Sequence, residues 1–284
     1  MTDADEYKHN LRALDKALRR SVESWWIATL LTKFSIFIVG TLAIFLSIIS
    51  QGAPFIVVAL SAVSEFCNRR SNSIRDTWET LHRELDAYDS FGWPVSRAEV
   101  SDLLIQSPRK LREQLSAPVS EEAYFASVQT KGAKRAIENM QESAWWSKHL
   151  ARTAGNFYSA IITILIIGSI VLLILSIETI RDFDLLANIG RVVTSTLMLV
   201  FSLDLLRVSS SYYRFSTKAA QVEERAEQLM GDKKQDLIEA IKLMQQYHLA
   251  RATAPTIHSW IYQLKRNDLN EMWQTYRRRS EASK

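Results

Sequence analysis

Residues 34–63 form an apolar run that is almost uninterrupted, and this feature limits the possible folds more than any other. A run of more than about 18 apolar residues predicts a helix that crosses a bilayer, because soluble proteins space their apolar residues out. The run is broken only at Ser50–Pro54, where a glycine and a proline predict a turn between two helices. We therefore predict a transmembrane hairpin over residues 25–67. Its second arm, Pro54–Cys67, is only about 21 Å long, so we expect it to thin the bilayer or to cross it in part.

A second apolar stretch, over residues 157–206, has the same organisation. Its first arm covers 157–176 and its return arm 185–206, and a turn rich in charged residues separates them. Each arm is long enough to cross a hydrocarbon core of about 30 Å. No alternating strand pattern of useful length occurs elsewhere in the chain. The predicted fold class is therefore an all-α integral membrane protein with four transmembrane helices and a cytoplasmic helical domain.

The positive charges that flank the hairpins predict their orientation. Lys and Arg residues lie next to every apolar arm on the side of the two termini, whereas the two turns contain only Arg181. Because Lys and Arg favour the cytoplasmic side, we predict that residues 1–24, 68–156 and 207–284 are cytoplasmic. The charged opening residues do not have the pattern of a cleavable signal peptide. A single cysteine, Cys67, allows no intramolecular disulfide, which is consistent with a reducing compartment.

The predicted cytoplasmic segments contain apolar residues at helical spacing. The stripe after the first hairpin consists of Ile74, Trp78, Leu81, Leu85 and Tyr88, and the stripe after the second consists of Phe215, Ala219, Val222, Ala226 and Leu229. The first of these helices is predicted to end at Phe91, since Gly92 and Pro94 follow it. A further long helix is predicted to begin at Ser120 and to continue into the second hairpin.

A short motif precedes both hairpins. It reads Glu23-Ser24-Trp25-Trp26 before the first hairpin and Glu142-Ser143-Ala144-Trp145-Trp146 before the second. Tryptophan at such a position is typical of a helix at the membrane interface. The repetition is equally consistent with an internal duplication and with chance.

Three ionisable residues, Lys33, Arg191 and Asp204, lie within the predicted membrane segments. A charge at mid-bilayer costs about 2.5 to 3.5 kcal/mol on insertion scales, so each is expected to reach the interface, to pair or to line water. Lys33 and Asp204 lie near the cytoplasmic boundary. There, snorkelling of Lys33 and a helical pair between Asp204 and Arg207 are the favoured interpretations. Arg191 lies deeper and is the better candidate for a pore or for a contact between subunits.

Three features of this chain occur together in one known family. The two hairpins enclose a helical insert, Leu85-Asp86 is followed by Phe91-Gly92-Trp93-Pro94, and the tail contains Arg251, Pro255, Ile257, Trp260, Ile261 and Tyr262. In this combination nearly the whole chain resembles the four-transmembrane (S-4TM) effectors of bacterial CBASS anti-phage systems. The chain departs from the family's pattern at Val95 and Ser96, and at His258, where an acidic residue is commoner.

The resemblance implies a function as well as a fold. Such proteins lie in the bacterial inner membrane and bind a cyclic di- or trinucleotide through their cytoplasmic part. They then oligomerise or rearrange and disrupt the membrane, which kills the infected cell. No other cofactor and no metal is implied.

A site for such a ligand needs basic side chains for the phosphates and aromatic rings on which the bases stack. The candidate residues are Trp93, Arg97 and Arg109 in the insert, and Arg251, His258, Trp260, Tyr262, Lys265 and Arg266 in the tail. Aromatic residues at helical spacing more often belong to a core, and this is the favoured interpretation of Trp260 and Tyr262. The run Arg277-Arg278-Arg279 is more typical of a solvated or lipid-facing surface than of a ligand site.

Motifs of the common enzyme classes do not occur in this sequence. It contains no Walker loop, no GxSxG, no HExxH and no cysteine pair, and its five histidines do not cluster at metal-ligand spacing. We therefore do not expect an enzyme. The net charge of +4 suits contact with anionic lipids or an anionic ligand, and it does not predict binding to a nucleic acid polymer.

The membrane segments also contain small residues, which would allow helices of neighbouring copies to approach closely. They are Gly40, Ser47, Gly168, Ser169 and Ser195. We accordingly expect a homo-oligomer within the lipid bilayer. Two other classes of function remain open from the sequence. One is a non-lytic membrane scaffold or accessory subunit that binds a partner protein, and the other is a constitutive ion channel.

Overall fold

The computed structural model describes residues 3–106, 124–232 and 234–282. Within these ranges the chain is helical and contains no strand, which confirms the predicted all-α class. The helices are α1 (Asp3–Phe45), α2 (Ser47–Phe91), α3 (Arg97–Gln106), α4 (Ala133–Thr179), α5 (Phe183–Ser202), α6 (Leu205–Gly231), α7 (Leu237–Ala252) and α8 (Ser259–Ala282).

Four stretches are long and apolar enough to cross a membrane: Leu11–Phe45, Ile48–Phe91, Ala133–Thr179 and Phe183–Gly231. The first three lie in α1, α2 and α4, and the fourth is shared by α5 and α6. No more than 22% of the most apolar window of any stretch is buried, although exposed apolar surface of this extent is costly in water. The prediction of four apolar helices of membrane length is confirmed, and their exposure is compatible with a multi-pass membrane protein.

The chain forms two compact units. Unit 1 consists of Met1–Leu85, Val95–Ser120 and Tyr158–Arg207, and unit 2 consists of Asp86–Pro94, Glu121–Phe157 and Val208–Lys284. The helices α2, α4 and α6 contribute residues to both units. The apolar parts of α1, α2, α4 and α5 all belong to unit 1, so the residues suited to lipid and the polar tail fall into different units.

In unit 1, α1 and α2 form an antiparallel pair. The hydroxyl of Ser71 donates a hydrogen bond to the carbonyl oxygen of Val22 at 3.2 Å, and the rings of Trp25 and Phe66 meet edge to face with centroids 6.0 Å apart. The partners in each contact lie at similar distances in sequence from Leu46, as a hairpin that turns there requires.

The break between the two arms lies at Leu46, so the predicted turn at Ser50–Pro54 is wrong. Helix α2 begins at Ser47 and contains Pro54. Within hydrocarbon, a continuous helix pairs the backbone groups that an open turn would leave without partners, and a proline near the helix start removes only one N–H. Because the turn lies earlier, residues 48–67 span about 30 Å, which matches the hydrocarbon core. The second arm is therefore not short.

The apolar stripe predicted after the first hairpin packs largely as expected. Its residues Ile74, Trp78, Leu81 and Leu85 are buried, and α2 ends at Phe91 before Gly92, whose φ is +81°. Glycine adopts this left-handed conformation without the strain that a Cβ would cause. The sequence pattern therefore predicted both the buried face of α2 and its end.

Helix α4 begins at Ala133, so the predicted helix start at Ser120 is wrong. Ser120 itself lies outside the described residues, and residues 124–132 are irregular. Gly132 has a φ of +150°, which a helix cannot accommodate, and its N–H donates to the carbonyl oxygen of Ser90 at 2.9 Å. A tertiary hydrogen bond at this glycine thus replaces a helical one.

An aspartate lies close to each end of helix α5, Asp182 before it and Asp204 after it. The carboxylate of Asp182 accepts hydrogen bonds from the N–H groups of Asp184 and Leu185 at 2.9 and 3.2 Å, so Asp182 is the N-cap. At the other end Asp204 has a φ of +53°, and this separates α5 from α6. The return arm predicted as one helix to Leu206 is therefore interrupted. Asp is one of the few residues that tolerate this conformation.

In unit 2, α4 and α6 pack closely against each other. The hydroxyl of Ser216 donates to the carbonyl oxygen of Lys148 at 2.9 Å, and that of Ser209 donates to the carbonyl oxygen of Gly155 at 3.2 Å. The predicted stripe on α6 is buried at all its positions, namely Phe215, Ala219, Val222, Ala226 and Leu229. This stripe and the buried face of α4 form the core of the unit.

Candidate ligand site

Unit 2 contains a cavity of about 270 Å³. Its walls are residues 127–129, the first turns of α4, the end of α6 and the second half of α8. Its charged and polar lining residues include Lys134, Glu138, Gln141, Glu142 and Arg277. Trp273 and Tyr276 provide an aromatic wall. Ligand sites are concave and contain a few converging polar groups, so this cavity is the candidate ligand site.

Two carboxylates of α4 hold the irregular segment in front of the cavity. Glu138 accepts a hydrogen bond from the hydroxyl of Ser127 at 2.6 Å, and Glu142 accepts one from the N–H of Ala126 at 2.9 Å. The two glutamates lie four residues apart and therefore share a face of α4. The segment has no helical hydrogen bonds of its own here, so side chains of α4 provide partners for its polar groups.

The opposite wall is built from α8 and anchored to α4 and α6. The hydroxyl of Tyr276 donates to the carboxylate of Glu227 and accepts a hydrogen bond from the amide of Gln141 at 3.2 Å. Arg277 donates to the carbonyl oxygen of Ala126 at 3.2 Å. The cavity walls are therefore connected by hydrogen bonds between parts of the chain that are far apart in sequence.

The aromatic wall is stacked and partly buried. The rings of Trp273 and Tyr276 have centroids 5.4 Å apart and an interplanar angle of 26°, and Trp145 lies 5.2 Å from Trp273. Trp273 is buried, whereas Tyr276 is half-buried. Tyr276 thus has accessible ring surface at the cavity, and its partner Trp273 supports it from the core.

Burial dominates the electrostatics of the cavity. Desolvation raises the pKa of Glu142 above its ordinary value, although the N–H of Ala126 and the guanidinium of Arg277 act in the opposite direction. Desolvation, together with the carboxylate of Glu227, also raises the pKa of the Tyr276 hydroxyl. The cavity therefore has carboxylates that can accept a hydrogen bond from an N–H group of a ligand. It also has two cationic side chains, Lys134 and Arg277, that can bind an anionic group of a ligand.

The tail residues predicted as ligand contacts lie elsewhere in unit 2, around the turn between α7 and α8. Trp260 meets Phe157 with centroids 4.8 Å apart, and Tyr262 meets Trp146 at 5.9 Å. Trp260 and Tyr262 therefore pack against other aromatic rings, as the favoured interpretation predicted, although both side chains are partly exposed. The hydroxyl of Tyr212 donates to the carbonyl oxygen of Thr256 at 2.8 Å and holds this turn in place.

The remaining tail candidates have different surroundings. His258 is buried immediately before α8, and Arg251 is half-buried in the last turn of α7. Lys265 pairs with Asp268 at 3.3 Å, and Arg266 is exposed. None of these four residues lines the cavity.

The candidates in the insert do not form a site among the described residues. Trp93 is exposed and stacks on Phe91 with centroids 4.6 Å apart. Arg97 is the first residue of α3, but its side chain lies outside the described part of the structure, as does the whole of Arg109. A basic and aromatic cluster in the insert therefore stays a prediction.

The intramembrane candidates of unit 1 have local partners. The ammonium of Lys33 donates to the carbonyl oxygen of Ser202 at 2.6 Å. Asp204 pairs with Arg207 at 2.9 Å, as the spacing of three residues predicted. Arg191 donates to the side-chain oxygen of Asn188 at 2.9 Å and is exposed.

The cavity residues were mostly missed by reasoning from the sequence. Glu142 appeared there only as part of a repeated motif, and Arg277 only as part of a solvated basic run. The available signal was the pair Glu138 and Glu142 on one face of the helix that follows Gly132. That spacing alone does not distinguish a cavity from a solvated surface.

No family model matches the chain, and neither does a curated protein or a solved structure. Among the described residues, no group of three His, Cys, Asp or Glu side chains is arranged to hold a metal ion. The class that the fold defines is therefore an all-helical protein with four apolar helices of membrane length and a separate polar unit that contains a cavity.

Proposed function

We propose that this chain is a membrane effector of the CBASS type, which binds a cyclic oligonucleotide and disrupts the bacterial inner membrane. In this proposal unit 1 spans the bilayer four times, and unit 2 and both termini lie in the cytoplasm. The observation that carries the proposal is the combination of four exposed apolar helices with a cavity in unit 2 that offers cations, carboxylates and an aromatic wall. The resemblance to S-4TM effectors supports the same assignment.

The distribution of positive charge supports the orientation. The flanks near the termini and the insert contain Arg19, Arg69, Lys148, Arg207 and Arg214, whereas the turns at Leu46 and at residues 180–182 together contain a single Arg. Such an excess favours retention on the cytoplasmic side during insertion. An anionic second messenger made in the cytoplasm would then meet unit 2 directly.

The chemistry of the cavity supports a nucleotide as the ligand. Lys134 and Arg277 can bind a phosphate, since both are cationic and line the cavity. A carboxylate such as Glu138 can accept a hydrogen bond from an exocyclic amine of a base, and the exposed part of the Tyr276 ring offers a stacking surface. At about 270 Å³, the cavity suits one nucleotide moiety of a larger ring.

The proposal is tested first by binding. The detergent-purified protein is screened by thermal shift against cyclic di-AMP, cyclic di-GMP and cyclic tri-AMP, because a ligand that binds only the native state raises the unfolding midpoint. We expect one of them to do so. Arg277→Ala should weaken that binding roughly tenfold or more, whereas Arg278→Ala should leave it unchanged. Arg278 is the matched control because it is exposed and does not line the cavity.

The second test concerns the membrane. Vesicles containing the full-length protein and a trapped dye should release the dye after the cyclic nucleotide identified by thermal shift is added. If the nucleotide binds and the dye stays trapped, membrane disruption is wrong and a non-lytic scaffold is favoured. If no cyclic nucleotide shifts the midpoint, nucleotide recognition itself is wrong.

A further inference from the structure

Helices α7 and α8 meet at a turn, residues 253–258, and two contacts fix the position of this turn within unit 2. The ring of Trp260, in the first turn of α8, meets the ring of Phe157 with centroids 4.8 Å apart. The hydroxyl of Tyr212, near the start of α6, donates to the carbonyl oxygen of Thr256 at 2.8 Å. Phe157 and Tyr212 belong to α4 and α6, the helices that lead from unit 2 into the apolar segments.

The turn lies at the end of unit 2 where those apolar segments begin. Phe157 is the last residue of unit 2 and the first residue of the apolar arm 157–176, so it marks the entry of α4 into hydrocarbon. Tyr212 lies about 10 Å along α6 from its first residue, Leu205. Its side chain leans back toward that residue, because side chains on a helix tilt toward the N-terminus. Trp260, whose ring contacts that of Phe157, therefore falls within the interfacial layer, which is about 5 to 8 Å deep.

The apolar side chains exposed near this turn suit a membrane interface. Trp260 and Phe157 are 41% and 43% exposed although their rings are in contact. Leu264, one helical turn after Trp260, is 64% exposed. Tryptophan is enriched at the level of the lipid headgroups, because its ring is apolar while its indole N–H can still donate to water or to a headgroup. The surface around Trp260 therefore suits an interfacial layer better than bulk water.

The charge of the same region has a single sign. Residues 240–267 contain four Lys and Arg residues and no Asp or Glu. Two of these basic residues pair with acids that flank the range, whereas Arg266 is exposed. Arg152 and Arg214 are also exposed, on the parts of α4 and α6 that lead to this end of the unit. Clusters of this kind attract anionic headgroups, and residues 240–267 are not adjacent in sequence to any apolar arm.

We infer that the turn between α7 and α8 lies in the headgroup region of an anionic membrane surface, where Trp260 anchors unit 2 beside the entry of α4 into the bilayer. This inference rests on the membrane part of the proposed function. It assigns Trp260 and Arg266, which the sequence predicted as nucleotide contacts, to the lipid surface. Helix α8 accordingly has its first turn at the lipid and its second half in the wall of the cavity.

Quenching by nitroxide-labelled lipids tests the position of the turn without any nucleotide. Cys67, the chain's single cysteine, is replaced by alanine, and Trp260→Cys or Leu264→Cys is introduced and labelled with the fluorophore NBD. The full-length protein is reconstituted in vesicles of phosphatidylcholine and phosphatidylglycerol, with or without lipids that carry a nitroxide near the headgroup. Resistance to extraction with alkaline carbonate first establishes that each variant is inserted in the membrane.

The matched control is Ile238→Cys at the start of α7. Ile238 is 61% exposed, close to the 64% of Leu264, so a label is similarly accessible at both positions. Its neighbour Glu239 pairs with Arg225 at 3.1 Å, and Arg225 lies about 30 Å along α6 from Leu205. The control position is therefore well away from the proposed lipid surface.

We expect the labels at positions 260 and 264 to be quenched roughly twofold or more relative to the label at position 238. Leu264→Cys removes little packing, because this side chain is exposed, so it decides the outcome if Trp260→Cys does not fold. Equal quenching at positions 264 and 238 in the inserted protein would overturn the inference. A Trp260→Cys protein that no longer binds the nucleotide, together with an unquenched label at position 264, would place the turn in the ligand site and overturn it as well.

The outcome is separable from that of the proposed function. Extraction of the protein by carbonate would contradict the membrane function itself. Nucleotide binding and dye release with equal quenching at positions 264 and 238 would overturn only the lipid contact and leave the effector function standing. Selective quenching at position 264 in a protein that no cyclic nucleotide affects would support the lipid contact and contradict nucleotide recognition.

Discussion

The ammonium of Lys33 lies 2.6 Å from the carbonyl oxygen of Ser202, the last residue of α5. The final carbonyl groups of a helix have no partners within the helix and form the negative end of its dipole. A lysine at this point stabilises the end of α5 and connects it to α1. Lys33 therefore joins two apolar helices through this hydrogen bond.

Replacement of Lys33 by methionine should destabilise unit 1. The variant keeps the length and apolar stem of the side chain and loses the donor, so the carbonyl of Ser202 loses a charge-assisted hydrogen bond worth about 1 kcal/mol. Lys33→Arg is the control, since it retains a cationic donor. Thermal unfolding of the detergent-purified variants measures the effect. Equal midpoints for the two variants would show that the hydrogen bond contributes nothing.

Asp86 and His248 form a buried pair in unit 2, with Oδ2 and Nε2 3.3 Å apart. Removing one member of such a pair leaves the other without its partner in a dry environment, so Asp86→Ala should destabilise the protein by at least about 2 kcal/mol. The double variant with His248→Ala should be less affected than the two single effects predict together. Lys265→Ala, which removes an exposed pair with Asp268, should change the midpoint little. Additive effects at Asp86 and His248 would contradict direct coupling.

Gly155 lies where α4 packs closely against α6. A Cβ at this position would lie 3.2 Å from the ring of Tyr213, which itself donates to the side-chain oxygen of Asn156 at 2.8 Å. Gly155→Leu should therefore overpack the contact and destabilise the protein by about 1 to 3 kcal/mol. Gly168→Leu in the same helix is the control, because no atom lies within 4 Å of a Cβ there. In the Gly155→Leu background, Tyr213→Ala should restore part of the lost stability, and a further loss would show that the ring is not the obstacle.

The raised pKa of Glu142 predicts a dependence of stability on pH. The native protein holds the proton of Glu142 more tightly than the unfolded chain, whose glutamates titrate near 4.5. The stability from this group is therefore complete below that pH and is lost as the pH rises through the pKa of the native state. Glu142→Gln keeps an acceptor for the N–H of Ala126 and cannot ionise. Its unfolding midpoint, relative to the wild type, should rise with pH from about 4.5 upwards.

Arg277 provides the internal check on this prediction. Its positive charge favours the ionised form of Glu142, so Arg277→Met should raise the pKa of Glu142 further. The loss of stability should then continue to higher pH than in the wild type. A difference between Glu142→Gln and the wild type that does not change with pH would show that burial does not perturb this carboxyl.

Several features of the fold followed from local patterns in the sequence. The four apolar stretches, the buried stripe from Ile74 to Leu85 and the end of α2 at Phe91 were predicted, because each depends on the hydrophobicity or conformational preference of residues close together in the chain. The predicted pair of Asp204 with Arg207 is also present, because a separation of three residues keeps the two side chains close even though Asp204 lies between α5 and α6.

Other features were decided only by tertiary structure. The first hairpin turns at Leu46 and not at the predicted position. The N–H of Gly132 donates to the carbonyl oxygen of Ser90, and the ammonium of Lys33 donates to that of Ser202, in both cases far away in sequence. The cavity brings Glu142 of α4 together with Tyr276 of α8. Such contacts depend on which helix faces pack and at what register, and a single helix presents several faces that are equally plausible from its sequence. The sequence by itself therefore determined which segments suit lipid and where most helices lie, whereas packing between distant helices determined where polar groups converge into a site.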